Sequence, residues 1–174
     1  MESLLILILG GARSGKSRYA ERLALASGKK TVYIATGWAG DEEMSTRIAR
    51  HREHRPPDWL TVEEPCALGN ALQTHADLNR CLIVDCLTLW LCNVLAQGDE
   101  RFHQERTALL DSLHGLPGTI CLVSNEVGLG IVPDNPLARR FVDETGWLHQ
   151  DLARICGRVV WVTAGLPQIL KDMS

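Results

Sequence analysis

The chain has 174 residues, 45% of them hydrophobic, and its formal net charge is −3 with a pI near 6.1. This length and apolar content predict one domain, residues 1–174, with a single sizeable core. The charge balance provides no basic field of the kind that favours nucleic-acid binding, so we expect no nucleic-acid partner.

Cysteine usage and the start of the chain bear on the compartment. The six cysteines include no Cys-x-x-Cys pair and several lie in apolar runs, which favours buried, reduced thiols over disulfides or zinc. The apolar run at 4–9 is too short for a membrane span and follows no basic leader segment. We therefore expect a cytoplasmic protein that is not inserted in a membrane.

The first predicted elements are a buried strand over residues 4–9 and a helix over residues 18–26, joined by a glycine-rich loop. The loop reads Gly-x-x-x-x-Gly-Lys-Ser, which in this setting is typical of a phosphate-binding loop, although a plain glycine-rich turn is the alternative. Its glycines let backbone N–H groups turn toward phosphate oxygens, and the helix start adds a positive dipole end. The residues expected to contact a nucleoside triphosphate are Gly10, Gly11, Ala12, Arg13, Ser14, Gly15, Lys16 and Ser17.

The remaining elements alternate between apolar strands and helices. Strands that are apolar throughout are typical of a mainly parallel sheet covered on both faces. The sequence therefore predicts a single-domain, P-loop NTPase-like α/β fold with a mainly parallel sheet and helices on both faces. The predicted strands cover residues 31–36, 59–62, 81–85, 119–124 and 159–163, and the predicted helices cover 44–53, 67–76, 87–96, 100–114 and a segment that ends near 155 after a loop at 125–136.

Three side chains are expected to offset the negative charge of the phosphates, either directly or by holding Mg²⁺. Lys16 would reach the β- and γ-phosphates, and the Ser17 hydroxyl would ligate Mg²⁺. Asp85 ends the apolar strand at 81–85, where ligands bind in open α/β sheets, and a carboxylate there would hold Mg²⁺ beside Ser17. The alternative for Asp85 is an N-cap of the helix that follows.

The segment that precedes Pro56 contains His51, Arg52, His54 and Arg55. The two histidines would share one helical face, which raises a zinc site as one hypothesis, although no nearby cysteine would complete the ligand set. A solvated basic turn is a second hypothesis. In the third, a neutral imidazole attacks phosphorus while Arg52 and Arg55 offset phosphate charge.

Several short runs carry a resemblance that covers nearly the whole chain. They are Gly-Gly-Ala-Arg-Ser-Gly-Lys-Ser-Arg at 10–18, Tyr-Ile-Ala-Thr at 33–36, Asp-Glu-Glu-Met at 41–44, Arg-Ile at 47–48, His51, Arg-Pro at 55–56, Trp59, Asn-Glu-Val-Gly-Leu-Gly-Ile-Val-Pro at 125–133 and Leu-Ala-Arg at 137–139. With these runs the chain resembles the bifunctional adenosylcobinamide kinase / adenosylcobinamide-phosphate guanylyltransferase family of cobalamin biosynthesis. The phosphate loop is shared by many enzymes, whereas the 125–133 run and the histidine segment are narrower signals.

The resemblance implies two reactions. A nucleoside triphosphate, ATP or GTP, phosphorylates the hydroxyl of adenosylcobinamide, and GMP from GTP is then transferred to the new phosphate with release of pyrophosphate. The second reaction passes through a GMP–histidine intermediate, for which His51 is the matching position, so Lys16 and His51 are the expected catalytic residues. The resemblance further implies Mg²⁺, a small corrinoid substrate and a homo-oligomer such as a trimer. Family members often carry two adjacent histidines where this chain has Arg50 and His51.

Further residues are expected near the nucleotide. Thr36 ends one of the matching runs and is expected to contact it. Glu63 or Glu64 could accept hydrogen bonds from guanine or ribose, and a charged surface turn is the alternative for both. For Glu126, in the 125–133 run, the pattern suggests no role.

Two rival functions make different predictions. A small-molecule kinase with only γ-phosphoryl transfer would form no covalent GMP adduct, and His51→Ala would keep full activity. A non-catalytic GTP-binding switch would bind GTP tightly and turn over no corrinoid.

Overall fold

The computed structural model describes residues 4–37 and 56–173. Within them lies a seven-stranded sheet with the order β3-β2-β4-β5-β1-β6-β7, in which the first six strands run parallel and β7 runs antiparallel to β6. The elements are β1 (Leu4–Gly10), α1 (Lys16–Ser27), β2 (Lys30–Ala35), β3 (Leu60–Glu63), α2 (Leu68–His75), β4 (Arg80–Asp85), α3 (Leu87–Ala96), α4 (Asp99–Ser112), β5 (Thr119–Asn125), α5 (Pro136–Ile155), β6 (Arg158–Thr163) and β7 (Leu166–Asp172).

The sheet is buried on both faces because its central strands are apolar throughout. Successive side chains of a strand point to opposite faces, so Leu5, Leu7 and Leu9 of β1 pack in one core while Ile6 and Ile8 pack in the other. Helix α1 covers the second core, and helices α2 to α5 cover the first. The helical residues that face the sheet include Ala20 and Ala24 of α1 on one side, and Leu72, Trp90, Phe102 and Leu148 of α2 to α5 on the other.

The predicted elements agree with the structure to within a few residues. The strand predicted over 119–124 is Thr119–Asn125, and the helix predicted over 100–114 is Asp99–Ser112. The predicted α/β fold with a mainly parallel sheet is confirmed. The helix predicted over 44–53 lies outside the described residues.

Strand β7 is absent from the sequence prediction, which ends with a strand over 159–163. Five residues of β7, from Leu166 to Leu170, are exposed, so the strand leaves no buried apolar pattern. Its signal is the turn before it, where Ala164 and Gly165 both have positive φ, 52° and 77°. Two such residues suit the tight turn of an antiparallel hairpin.

All six cysteines are free thiols, as predicted. Four of them are buried in the sheet or beside it, but Cys92 is exposed on α3, so burial was wrongly predicted for that residue. Its neighbours Leu91 and Val94 face the core, and position 92 lies on the outer side of the same helix. Among the helices described here, none is long and apolar enough to cross a membrane.

Candidate nucleotide-binding site

The carboxyl ends of the parallel strands meet at one edge of the sheet. In the strand register, Gly10 at the end of β1 lies opposite Asn125 of β5, and Ala35 of β2 lies opposite both Glu63 of β3 and Asp85 of β4. Ligands of open α/β sheets bind at this edge. The fold therefore brings the loop after β1 and the predicted acid after β4 to the same side of the molecule.

The phosphate loop, residues 10–17, is held by main-chain hydrogen bonds from two neighbouring segments. The Gly10 carbonyl accepts from the N–H of Glu126 at 2.9 Å, and the Ser14 carbonyl accepts from the N–H of Gly165 at 2.8 Å. A Cβ atom on Gly10 would lie 2.3 Å from the carbonyl oxygen of Val162. Close backbone approach therefore requires glycine at this position.

Lys16 is the buried cation of the site. It is the first residue of α1, is only 6% exposed, and its Nζ donates to the Gly11 carbonyl across the loop at 2.6 Å. Burial lowers the pKa of Lys16, whereas the nearby charge of Asp85, followed by that of Cys86, raises it. Lys16 and Asp85, the two predicted phosphate-site residues, thus interact electrostatically, and both lie at the carboxyl edge of the sheet.

Asp85 is fixed by a buried tyrosine. Its Oδ2 accepts a hydrogen bond from the hydroxyl of Tyr33 at 2.6 Å, and Tyr33 is 2% exposed. Helix α3 takes Cys86 as its N-cap residue, so the N-cap alternative for Asp85 does not hold. The carboxylate is thus held by β2, the strand beside β4.

The residues fit a magnesium ion that is shared with phosphate. Ser17 lies in the first turn of α1 and Asp85 ends β4, and both supply the oxygen ligands that Mg²⁺ prefers. In the part of the chain that the structure describes, no group of three or more His, Cys, Asp or Glu could hold a metal by itself. This donor set suits Mg²⁺ bound through few protein ligands plus phosphate oxygens and water.

Thr36, just after β2, is hydrogen-bonded to the residue that follows β4. Its side chain is fully buried, and its hydroxyl donates to the carbonyl of Cys86 at 2.7 Å. The Thr36 carbonyl accepts from the Asn93 amide at 2.8 Å, and the same amide donates to the Pro65 carbonyl at 3.0 Å. Nucleotide contact by Thr36 stays a prediction, and these contacts favour a role in holding the strand ends together.

The two glutamates after β3 have different surroundings. The Glu64 carboxylate accepts from the N–H groups of Cys66 and Ala67, at 2.9 and 2.7 Å, and thereby satisfies backbone donors at the start of α2. Glu63 is exposed at the carboxyl end of β3. Nucleotide contact by Glu63 stays a prediction. Three further predicted site residues, His51, Arg52 and Arg55, lie outside the described residues.

Sequence reasoning noticed the 125–133 run but assigned no role to the polar groups at the end of β5. Asn125 donates to the Thr88 hydroxyl at 2.9 Å, and Glu126 lies 3.8 Å from the ring nitrogen Nδ1 of His149 on α5. Asn125 ends the apolar strand β5 and Glu126 follows it at the ligand-binding edge, and this position is the signal that could have suggested a role for each. His149 lies far along the chain on a helix, where its sequence context gives no such signal.

The sheet and the loop after β1 define an α/β nucleotide-binding protein of the P-loop class. The crystal structure of the RadB recombinase aligns with a TM-score of 0.54 at 18% sequence identity, over 91% of this chain and 73% of that chain. At this identity the likeness supports the fold alone.

Sequence comparison identifies the family. The family model for cobinamide kinase / cobinamide phosphate guanyltransferase matches residues 6–170. The bifunctional adenosylcobalamin biosynthesis protein CobP of Pseudomonas aeruginosa is 60% identical over 166 residues, 95% of this chain and 96% of that protein. The CobU protein of Escherichia coli K12, with the same description, is 36% identical over 182 residues, 97% and 100% of the two chains. The chain belongs to the cobinamide kinase / cobinamide phosphate guanyltransferase family, and the predicted resemblance is confirmed.

Proposed function

We propose that this chain catalyses both reactions named in the family description. It phosphorylates the hydroxyl of adenosylcobinamide and then transfers GMP from GTP to adenosylcobinamide phosphate, releasing pyrophosphate. The observation that carries the proposal is the match to this family over residues 6–170, on a chain whose phosphate loop and Asp85 lie at the same edge of the sheet.

In the kinase step, the phosphate loop binds the triphosphate through its N–H groups and the start of α1. The Lys16 ammonium lies at the β- and γ-phosphates and offsets the charge that develops in transfer. The acceptor hydroxyl forms a bond to the γ-phosphorus as the bond to the β-phosphate oxygen breaks, and the hydroxyl proton is lost. ATP or GTP serves as the donor.

Ser17 and Asp85 hold Mg²⁺ in this proposal. The ion supplies charge neutralisation for the departing phosphates when it is bound. The hydrogen bond from Tyr33 orients the Asp85 carboxylate.

In the guanylyl step, His51 is the nucleophile. A neutral imidazole nitrogen forms a bond to the α-phosphorus of GTP while the bond to pyrophosphate breaks, and the ring loses its N–H proton. An oxygen of adenosylcobinamide phosphate then forms a bond to that phosphorus as the bond to the imidazole nitrogen breaks, the ring regains a proton from water, and adenosylcobinamide-GDP is the product. Arg52, Arg55 and Lys16 offset phosphate charge, and Glu63 and Thr36 belong to the proposed nucleotide contacts.

Labelling with GTP carrying ³²P at the α-phosphate tests this function. We expect wild-type protein with Mg²⁺ to acquire label that survives base and is lost in acid, as a phosphoramidate requires. His51→Ala should lose the label, whereas His54→Ala, a neighbouring histidine without an assigned role, should keep it. No label on the wild type, or full label on His51→Ala, would contradict guanylyl transfer through His51 and favour the kinase-only or switch hypothesis.

The partners and the compartment are part of the proposal. The corrinoid and GTP are the expected small-molecule substrates, with no nucleic-acid partner. Six free thiols suit the reducing cytoplasm. We infer a homo-oligomer such as a trimer, which a light-scattering mass of one chain, 19.2 kDa, would contradict.

A further inference from the structure

The connection between β5 and α5, residues 126–135, is fastened at both ends. At its start, the N–H of Glu126 donates to the Gly10 carbonyl of the phosphate loop at 2.9 Å. At its end, the guanidinium of Arg139 donates to the carbonyls of Pro133 and Asp134 at 2.9 and 2.7 Å. The connection is therefore attached to the nucleotide site on one side and to helix α5 on the other.

A buried imidazole supports the first of these attachments. His149 is 6% exposed, and its Nε2 lies 2.7 Å from the hydroxyl oxygen of the fully buried Ser124. Its other ring nitrogen faces Oε2 of Glu126 at 3.8 Å. The second carboxylate oxygen, Oε1, accepts from the N–H of Gly128 at 2.6 Å. Glu126 is thus oriented by α5 and in turn fixes the first turn of the connection.

Between its attachments the connection presents apolar side chains to solvent. Leu129 is 80% exposed, Ile131 97% and Val132 75%. Single exposed apolar residues are ordinary, but three of them within four residues on a tethered backbone mark a binding surface. Ile131 and Val132 also line a cavity of about 220 Å³, together with Val127 and Val142.

We propose that this connection is the binding surface for the corrinoid acceptor, and that Glu126 and His149 are its positioning residues. The inference rests on the proposed function, because it takes its ligand from the reaction of the family. A corrin macrocycle has broad, methyl-bearing faces that suit an apolar surface. Its hydroxyl arm must reach the phosphate being transferred, so the surface must adjoin the phosphate loop. The hydrogen bond between Glu126 and Gly10 meets that requirement.

Equilibrium dialysis with adenosylcobinamide phosphate tests the surface directly. Ile131→Ser removes an apolar side chain that makes little contact with the rest of the chain, so the protein should fold normally. We expect the Kd for the corrinoid to rise about tenfold, as loss of one well-covered apolar side chain implies. The KM for GTP and the amount of GMP label should stay as in the wild type. Leu78→Ser, a 49% exposed leucine just before β4 at the opposite edge of the sheet, is the matched control and should change none of these values.

A second pair of variants tests the positioning role. Glu126→Ala removes the acceptor for the Gly128 N–H, so we expect a severalfold rise in the corrinoid Kd with an unchanged KM for GTP. Glu126→Gln keeps a carbonyl oxygen at that place and should restore most of the affinity. A purely structural role would instead lower the melting temperature and weaken GTP and corrinoid binding together.

Two results would overturn the inference. The first is an unchanged corrinoid Kd for Ile131→Ser, and if the light-scattering mass of that variant also fell, the surface would be assigned to contacts between copies of the chain. The second is a rise in the KM for GTP as large as the rise in the corrinoid Kd. Failure of the wild type to acquire GMP label would contradict the proposed function alone, because corrinoid binding is measured without GTP.

Discussion

Two loops at the same edge of the sheet are held in place by different means. The phosphate loop, residues 10–17, is fastened by main-chain hydrogen bonds from Glu126 and Gly165, and its shape depends on glycine where other backbone comes close. The β5–α5 connection, residues 126–135, is fastened largely by side chains, those of Glu126, Asn135 and Arg139. The conformation of the phosphate loop therefore depends on glycine and main-chain bonds, whereas that of the β5–α5 connection depends on side-chain hydrogen bonds.

This difference determines what a substitution should do. At Gly10 of the phosphate loop, an added methyl group meets backbone that cannot move aside, and loss of Lys16 removes the buried charge on which the proposed phosphate transfer depends. In the connection, each side chain contributes one or two hydrogen bonds, so single changes should be smaller and separable. Substitutions of Lys16, Gly10, Asn135 and His149 test this ranking.

The largest effect is expected for Lys16→Ala. The kcat of both reactions should fall about 10²–10³-fold, the usual cost of removing one group that stabilises transition-state charge. The control is Lys30→Ala, an exposed lysine at the start of β2 on the opposite edge of the sheet, which should leave kcat unchanged. Steady-state assays of each reaction provide the measurement. If the kcat of both reactions fell less than tenfold, a group other than Lys16 would be offsetting the phosphate charge.

Gly10→Ala should destabilise the fold by about 3 kcal/mol, because its Cβ would lie 2.3 Å from the Val162 carbonyl oxygen. Gly11→Ala is the matched control. Within the described part of the chain its Cβ would meet no atom closer than 4 Å, so the free energy of unfolding should change by less than about 0.5 kcal/mol. Urea denaturation of the two variants measures the difference, and equal values would remove the steric argument.

The contrast also explains which parts could be predicted from sequence. The loop after β1 and the acid at Asp85 could be predicted because each is local: a buried strand ends, and the residues that follow have a known chemistry. The strand order could not, since it depends on pairings such as Gly10 with Asn125 that are distant in the chain. The support of Glu126 by His149 depends on how α5 packs behind β5, which no local pattern records.

Asn135→Ala tests the far end of the connection. The Asn135 side chain accepts from the N–H groups of Leu137 and Ala138, at 2.8 and 3.1 Å, and so caps helix α5. Its loss should lower the free energy of unfolding by about 1 kcal/mol, measured by urea denaturation. Asn135→Asp keeps an acceptor oxygen at the cap and should retain the stability. If the aspartate variant were as unstable as the alanine variant, capping would not be the cause.

The smallest effect is the pH dependence contributed by His149. Burial lowers the pKa of His149 below its usual 6.5, and the facing carboxylate of Glu126 raises it by less. The unfolded chain therefore binds this proton first as the pH falls. The stabilising contribution of the neutral ring is complete above about pH 6.5 and is lost as the pH falls through the lowered pKa of the folded protein.

The matched variant is His149→Gln, which keeps a polar group beside Ser124 and does not titrate. Because the other five histidines are common to both proteins, the difference between their unfolding free energies isolates this residue. We expect the wild type to lose more stability than the variant below pH 6.5. The opposite slope would show that Glu126 outweighs burial and that the pair is held as an ion pair. With either slope the pH dependence belongs to the connection, because the hydrogen bonds that fasten the phosphate loop join main-chain groups, which do not titrate.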